Sequence, residues 1–524
     1  MSGVRIAAKV MGRCVVPSLP VPTLRSALGA LLTIAASVAA AAGVAFVVDR
    51  GAGLSAPYPP IAAALVVAAV FWWRPPEGLL AFGMFALLAG TIEHWLDLDL
   101  LLFDEVGLLL LVAAAIGGRH AELGRFRLGW LETSLAVLVA VAILSSVANA
   151  VPIVTWVAGL FLLLKGIGFF YLVRLLRLRP ADAERMGLVV LVVAGAICAL
   201  GFVEWFDPAA FQGALGLPVR VEARGEVTVI RSIFLHPALF GWLTAFASLL
   251  GYARFATHRS WWALPLAMAL NVGTFISGRR TPLLGVAAAL GVGLLWHSAR
   301  IGIRRAAFRI WLPAGAALVA LAVITAPLVG RLATITASEY GPSLELAGEI
   351  FADDPRPEVV EDVQPRVALY AASLAIARDH LPLGGGVGRF GSHLSREDYS
   401  PLYERYGLDQ VALLGPQSAQ ATTDAFWPMV LGETGVIGLV AGLFFFAGIG
   451  VLLWRAVSTA ASARLRMIVL AALFVFIEAL VRSATSSVFV APPIAYFALG
   501  AAGIALSAAA SDGGASDGKP PGRG

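Results

Sequence analysis

The sequence predicts an all-α polytopic membrane protein, and three observations support this fold class. The chain of 524 residues is 59% hydrophobic and only 14% charged, whereas about 25% of a typical soluble domain is charged. Its mean hydropathy is +0.84. Apolar runs of roughly 20 residues, the length of a membrane-spanning helix, recur along the chain. The basic residues stand in short clusters between these runs, so the net charge of +5 does not indicate nucleic-acid binding.

About 14 membrane spans are predicted, with one long polar interval before the last three. The first apolar run follows Arg5, Lys9, Arg13 and Arg25, and it is too long for the core of a cleaved signal peptide. The predicted division is a cytoplasmic N-terminal segment (1–25), eleven spans (26–330), a large extracytoplasmic loop (331–425), three spans (426–508) and a disordered cytoplasmic tail (509–524). Further spans are expected near 58–73, 78–92, 104–117, 130–151, 153–173, 187–206, 233–253, 261–277, 281–297, 310–330, 426–454, 467–481 and 486–508.

The distribution of lysine and arginine predicts the orientation of the chain. If the N-terminus is cytoplasmic, most basic clusters fall on the cytoplasmic side, as the positive-inside rule requires. The short loops of the other side are poor in basic residues, and the loop between Glu93 and Glu105 has none. We therefore expect a multi-pass protein of the cytoplasmic membrane, with both termini cytoplasmic and the 331–425 loop outside.

The large loop has the character of a small folded cap. Residues 366–379 carry apolar side chains at helical spacing, which predicts a helix between Pro365 and Pro382. The Gly384–Gly388 run follows this helix and lacks the lysine and Ser/Thr of a phosphate-binding loop, so nucleotide binding is not expected. A tight turn that approaches another helix fits the run better. His380 and His393 are more typical of solvated loop histidines than of bases or metal ligands, and no metal or cofactor is expected.

Several arginines on the predicted outer side run against the positive-inside pattern. They are Arg231, Arg279, Arg280, Arg366 and Arg482. Arginine at the end of a span can extend its side chain to the lipid headgroups, and this reading stays open for Arg231 and Arg482. Two adjacent fixed charges in the short turn at Arg279 indicate an anion instead. Since guanidinium groups bind phosphate oxygens in a fork, a phosphate-bearing ligand of the outer leaflet is the natural candidate.

Asp424 lies where the loop meets the next span, beside the interface residue Trp427. It is either the N-cap of that span, with Pro428 in the first turn, or a general base for a hydroxyl acceptor. Glu433 lies deeper in the span, and we expect it to be a structural hydrogen-bond partner.

These arginines and Asp424 lie in motifs that resemble the O-antigen ligase and Wzy-type polysaccharide polymerase superfamily. The matching elements, in chain order, are RSIFLHPALFG (Arg231–Gly241), SGRRTPLLG (Ser277–Gly285), Arg366 with its helix and PLGGGVGRF, and the Asp424–Gly438 segment with GETGVIGL. The resemblance covers roughly Glu222–Gly450. One departure matters, because Asp424 and Ala425 stand where ligases of the family carry His-Asn, although some polymerase-like members also have aspartate there.

The resemblance implies an integral-membrane glycosyltransferase, similar in class to the type C enzymes, acting in cell-surface polysaccharide biosynthesis. Its donor would be a polyprenyl-diphosphate-linked glycan in the outer leaflet, and its acceptor a glycan or other hydroxyl. Arg280 and Arg366, supported by Arg279 or Arg231, would stabilise the charge that develops on the diphosphate. Asp424 would orient or deprotonate the acceptor without a metal.

Two other classes remain open. The first is a transporter or flippase for a lipid-linked or anionic solute, since intramembrane charges such as Lys165, Glu204 and Glu478 often mark translocation paths. These charges are few, and no internal repeat of the kind common in transporters is seen. The second is a non-catalytic component of an envelope glycan-export complex, which would leave the outer arginines unexplained.

Overall fold

The computed structural model describes residues 21–51, 58–100, 102–118, 120, 129–221, 223–224, 227–301 and 364–516. Among these residues, nine helices are long and apolar enough to cross a membrane, and two shorter apolar helices accompany them. The described part of the chain is therefore predominantly helical, in a multi-pass membrane protein. The total of about 14 spans stays a prediction, because the expected span at 310–330 and the loop up to residue 363 lie outside the described residues.

The helices before the long polar interval are α1 (Val21–Phe46, continuing as a π-helical turn Val47–Gly51), α2 (Tyr58–Trp73), α3 (Pro75–Leu96), α4 (Phe103–Gly117), α5 (Trp130–Ala148), α6 (Ile153–Leu175), α7 (Pro180–Phe206), α8 (Pro208–Ala214), α9 (Pro237–His258), α10 (Ala263–Ile276) and α11 (Arg280–Ile301). The later helices are α12 (Pro365–Asp379), α13 (His393–Glu397), α14 (Pro401–Arg405), a 3₁₀ turn Leu408–Gln410, α15 (Phe426–Thr459), α16 (Ala463–Ser483) and α17 (Ile494–Ser516).

Some helix ends differ from the predicted spans for local reasons. Helix α7 begins at Pro180 and not near residue 187, because proline occupies its first position and Asp182 accepts a hydrogen bond from the Arg179 amide (3.4 Å). Helix α17 begins after the Pro492-Pro493 pair and not at residue 486, since proline disfavours helix at the residue before it. Among the described residues, the fold also departs from all-α where the two-residue strands β1 (Ala223–Arg224) and β2 (Val227–Thr228) pair antiparallel.

Helix α9 is the most deeply buried of the long apolar helices, with 83% of its apolar window inside the protein. It packs against α7, α10, α11 and α16. Its first turns approach the connection between α10 and α11 closely, since a Cβ atom at Gly241 would lie only 2.2 Å from Ser277 Oγ. A larger residue at Gly241 would push that connection away, so the glycine sets where the predicted arginine turn lies.

A cluster of paired charges around Lys165 lies inside the bundle. Lys165 donates to Asp104 Oδ2 (2.9 Å) and Glu105 Oε1 (2.7 Å), and Tyr496 Oη donates to the same Asp104 oxygen (2.8 Å). Lys165 is only 4% exposed. The buried ammonium is thus paired with two carboxylates, and the cluster ties α4, α6 and α17 together.

Candidate functional site

Residues 364–425 form a small helical unit, here called the cap, that packs on one end of the bundle. That end is called the loop side. The cap has its own core, in which one face of α12 packs against the two short helices and the loops around them. Pro365 occupies the first position of α12 and His380 its C-cap, so the expected helix at 366–379 is confirmed. Its core residues are Ala368, Leu369, Ala372, Ile376, Phe390, Leu402, Tyr403, Leu408, Val411, Leu414 and Ala421.

Among the described residues, neither cap histidine is hydrogen-bonded to another predicted site residue. His393 contacts only its neighbours Glu397 (3.3 Å) and Arg396 (3.0 Å). Burial, followed by the positive charge of Arg405, lowers the pKa of His380 below its usual 6.5. Burial also raises the pKa of the Tyr403 phenol to about 12, and this hydroxyl accepts from the Gly391 amide (2.9 Å). Both pKa directions, of His380 and of Tyr403, favour the neutral form at neutral pH.

The glycine run of the cap docks against a kink in α15. The kink is at Gly435, where φ is +63° and ψ −167°, a conformation open essentially to glycine alone. The Gly385 amide donates to Gly432 O (2.7 Å) and the Gly386 amide to Glu433 O (3.1 Å). A Cβ at Gly384 would lie 2.4 Å from the Gly435 amide nitrogen. The run is thus a close-packed joint between cap and bundle, which agrees with the tight turn predicted from the sequence.

Glu433 holds this joint from the side of the bundle. Its side chain is 3% exposed, and Oε1 accepts from the amides of Gly388 (2.8 Å) and Phe390 (3.2 Å). From α5, Asn149 Nδ2 donates to Gly384 O (2.8 Å) and Ser145 Oγ to Glu433 O (2.7 Å). These contacts agree with the structural role expected for Glu433. They also fix the end of α12 relative to the bundle, and hence the position of the residues at its start.

Two of the predicted site residues are in direct contact. Arg366, in the first turn of α12, donates through Nη2 to Asp424 Oδ2 at 2.9 Å. Their side chains are 31% and 40% exposed, respectively. The N-cap of α15 is Ala425, which makes no capping side-chain bond, so the N-cap interpretation of Asp424 is wrong. The Asp424 carboxylate is instead partly exposed and lies next to the Arg366 guanidinium.

Arg279 and Arg231 lie beside the start of α9. The amide of Ile230 donates to Ile276 O (3.0 Å), which sets the segment before α9 alongside the end of α10. Arg279 Nη2 contacts His236 Nε2 at 3.3 Å, and His236 is the N-cap of α9. Sequence reasoning missed His236, because histidine is not among the usual N-cap residues.

Arg231 is buried, with 4% of its surface exposed. Its guanidinium donates to the Pro218 carbonyl, and its backbone amide donates to Glu204 Oε2 (3.0 Å). Extension to the lipid headgroups is therefore wrong for Arg231. Arg231 therefore helps to hold the segment before α9 in place, and it affects the site through that segment.

Arg280 begins α11, and α11 is linked to the cap through the C-terminal end of α16. Three consecutive residues at that end, Ser483–Thr485, each accept from or donate to a different element. Trp427 Nε1 of α15 donates to Ser483 Oγ (2.8 Å), and Tyr370 Oη of α12 donates to Ala484 O (2.9 Å). Thr485 Oγ1 donates to Thr281 Oγ1 of α11 (3.1 Å).

These links bring the scattered predicted residues to one end of the bundle. Tyr370 lies one helical turn after Arg366, Trp427 follows Asp424 closely, and Thr281 is next to Arg280. The Ser483–Thr485 segment, here called the α16 end, is therefore the point at which the three site-bearing elements meet. Arg482, which directly precedes this segment, was singled out from the sequence, but the α16 end itself was given no role. In the part of the chain that the structure describes, no group of three His, Cys, Asp or Glu side chains could hold a metal ion.

The fold and the site together define a multi-pass helical membrane protein with arginines and a carboxylate gathered on its loop side. Residues 263–443 match the family model described as O-antigen ligase. The match confirms the resemblance found in the sequence, and it contains Arg279, Arg280, Arg366 and Asp424. Arg231 lies before the matched segment. No curated protein matches the chain.

Proposed function

We propose that the protein is an integral-membrane glycosyltransferase of the O-antigen ligase or polysaccharide polymerase kind. It transfers or polymerises glycan from a polyprenyl-diphosphate-linked donor to a hydroxyl acceptor on the outer face of the cytoplasmic membrane. The family match supports glycosyl transfer in general terms. The observation that carries the specific proposal is the 2.9 Å contact between Arg366 and Asp424, which places a guanidinium and a carboxylate side by side in a half-exposed site.

The two groups suit the two charges of the reaction. As the acceptor oxygen attacks the anomeric carbon, the bond from that carbon to the diphosphate oxygen breaks. The acceptor proton passes to Asp424, and the leaving diphosphate takes the bonding electrons. Arg366, Arg280 and Arg279 bind the phosphate oxygens, where guanidinium forks stabilise the charge that develops. Arg231 supports the turn that carries Arg279.

The pair also gives a resting state that donor binding can open. While the site holds no diphosphate, Arg366 neutralises Asp424. A diphosphate offers Arg366 more and stronger acceptors than one carboxylate does, so the guanidinium turns to the donor. Asp424 is then free to accept the proton of the acceptor hydroxyl.

The proposal is tested with purified protein in lipid nanodiscs and a synthetic undecaprenyl-diphosphate glycan, with product followed by mass spectrometry. Asp424→Asn should lower turnover by roughly a hundredfold or more, which is the usual range for a general base. Arg366→Lys should lower it by about 10²–10³, as the loss of a preorganised group that stabilises developing charge does. The half-exposed ion pair contributes at most about 1 kcal/mol to stability, so both variants should stay folded. The matched controls are Asp398→Asn and Arg378→Lys, exposed residues of the same cap, and these should keep wild-type turnover.

The proposal fails if the wild-type protein makes no product from donor and acceptor, or if both site variants turn over normally. Movement of the intact donor across a proteoliposome membrane without any transfer would favour the transporter alternative.

A further inference from the structure

One buried arginine next to the candidate site has an unsatisfied hydrogen-bond donor. Arg482, in the last turn of α16, is 5% exposed, and its Nη1 atom has no hydrogen-bond partner within the described residues. One turn earlier, Glu478 is 0% exposed, and neither carboxylate oxygen has a partner there either. Buried charges are normally paired and hydrogen-bonded, because removing them from water is costly. Two such groups side by side indicate a site that a polar ligand completes.

The two side chains face the start of α11. A Cβ atom at Gly285 would lie 2.7 Å from Glu478 Cγ, so the second turn of α11 packs directly on Glu478. Residues four apart share one helix face. Arg482 therefore faces the first turn of α11, which begins with Arg280 and Thr281. The Thr281–Thr485 hydrogen bond (3.1 Å) closes this approach from the other side.

The surroundings of Arg482 favour an anion. The first turn of the 22-residue helix α11 presents backbone amides and the positive end of the helix dipole. Arg280 adds a second guanidinium at the same turn. Glu478 is the only acidic side chain that we find among the described residues of α11 and α16, and it lies one turn deeper than Arg482. The positive groups therefore lie nearest the loop side, where a ligand would arrive.

We propose that Arg482 is a further phosphate-binding residue, which holds the lipid-proximal phosphate of the donor against the first turn of α11. The shared chemistry is a phosphate group with an apolar tail in the bilayer. We assign it to a polyprenyl diphosphate, since Arg482 directly precedes the α16 end, where the helices that carry Arg280 and Arg366 are joined. This inference rests on the proposed function and deepens it.

The test measures the affinity of full-length protein in nanodiscs for undecaprenyl diphosphate, by competition with a fluorescent prenyl diphosphate. Undecaprenyl monophosphate and phosphatidylglycerol are the comparison ligands. Arg482→Gln should raise the Kd for undecaprenyl diphosphate by about tenfold or more, because hydrogen bonds to charged groups are worth that much. Arg482→Lys, which keeps the charge but loses the fork, should show a smaller loss. The matched control Arg455→Gln removes an exposed arginine of α15 and should bind normally.

Glu478→Gln separates a ligand role from an internal ion pair. If Arg482 binds the phosphate, Glu478→Gln leaves the Kd unchanged or lowers it, because a negative charge near the ligand is gone. The inference is overturned if Arg482→Gln and Glu478→Gln both lower thermal stability, the double variant restores it, and no variant changes the Kd. An equal loss of affinity for phosphatidylglycerol in Arg482→Gln would overturn the assignment to the donor in favour of a lipid-headgroup site.

The outcomes distinguish this inference from the proposed function. Wild-type turnover combined with normal donor binding by both Arg482 variants sinks the inference alone. Arg482-dependent binding of undecaprenyl diphosphate by a protein that makes no product would sink the proposed glycosyl transfer alone.

Discussion

Replacing Glu433 tests how much its buried carboxylate contributes to holding the cap on the bundle. In Glu433→Ala the amides of Gly388 and Phe390 lose their acceptor, at 2.8 and 3.2 Å. Each buried donor left without a partner costs about 1–3 kcal/mol, so the joint should lose about 2–6 kcal/mol. Glu433→Gln keeps one oxygen as an acceptor but brings an amide group without acceptors, and should cost less than the alanine variant.

Hydrogen exchange read by mass spectrometry is the direct assay. Peptides that cover residues 384–390 should exchange much faster in Glu433→Ala than in the wild type. Peptides from α9, which make no contact with the joint, should be unchanged. Glu397→Ala is the matched control, since its side chain is 56% exposed and its removal should leave exchange at the joint as it was.

The same variants separate a structural role of Glu433 from a catalytic one. Glu433→Gln should keep turnover within about tenfold of wild type, since a general base is worth about 10²–10⁴ and Glu433 is not assigned that role. A thousandfold loss with unchanged exchange would place Glu433 in the chemistry. Normal exchange at residues 384–390 in Glu433→Ala would refute the argument that the carboxylate holds the cap.

Three further predictions concern the joint, the bundle and the cap. Gly435→Ala should destabilise the protein in thermal melts by about 3 kcal/mol or more. The φ of Gly435 is +63°, and a Cβ there would lie 2.4 Å from the Pro382 carbonyl oxygen. Gly442→Ala, whose Cβ would meet nothing closer than 3.8 Å, should melt like the wild type. Lys165→Met should cost about 3–5 kcal/mol by leaving two carboxylates unpaired, whereas Arg179→Met, in a pair whose arginine is 83% exposed, should change the melting temperature little. The pKa of His380 is lowered below 6.5 in the folded protein, so the unfolded chain binds the proton more readily. Cap stability is therefore full at neutral pH and should fall as the pH drops below about 6.5. In His380→Gln, hydrogen exchange in the cap should lose that pH dependence.

The elements of the site could be predicted, but the way they meet could not. Pro365 and Pro382 bracket α12 in the sequence, and the glycine run after it reads as a turn, so both were predicted correctly. Arg366 and Asp424 are 58 residues apart, and only the order of motifs linked them beforehand. Their contact depends on how the glycine run packs on the α15 kink, which no local pattern encodes.

Arg482 shows the limit of reading a membrane sequence most clearly. An arginine at the end of an apolar helix is as compatible with lipid headgroups as with the protein interior, because both positions follow the same local pattern. Burial is decided by what surrounds the α16 end, namely Thr281, Tyr370 and Trp427 from three distant parts of the chain. Arg482 is 5% exposed, and the three residues that follow it contact these side chains at 3.1, 2.9 and 2.8 Å.

The state of the buried charges also bears on the choice between enzyme and transporter. A translocation path for an anionic solute would expose charged groups at successive depths. Of the three intramembrane charges considered from the sequence, Lys165 is bound by two carboxylates. Glu204 accepts from the Arg231 and Ser232 amides and from a glutamine side chain. Of these three charged groups, Glu478 is the one whose side chain lacks a hydrogen-bond partner among the described residues, and it lies one turn before Arg482 on α16. These three charges therefore do not form a path of unsatisfied groups at successive depths.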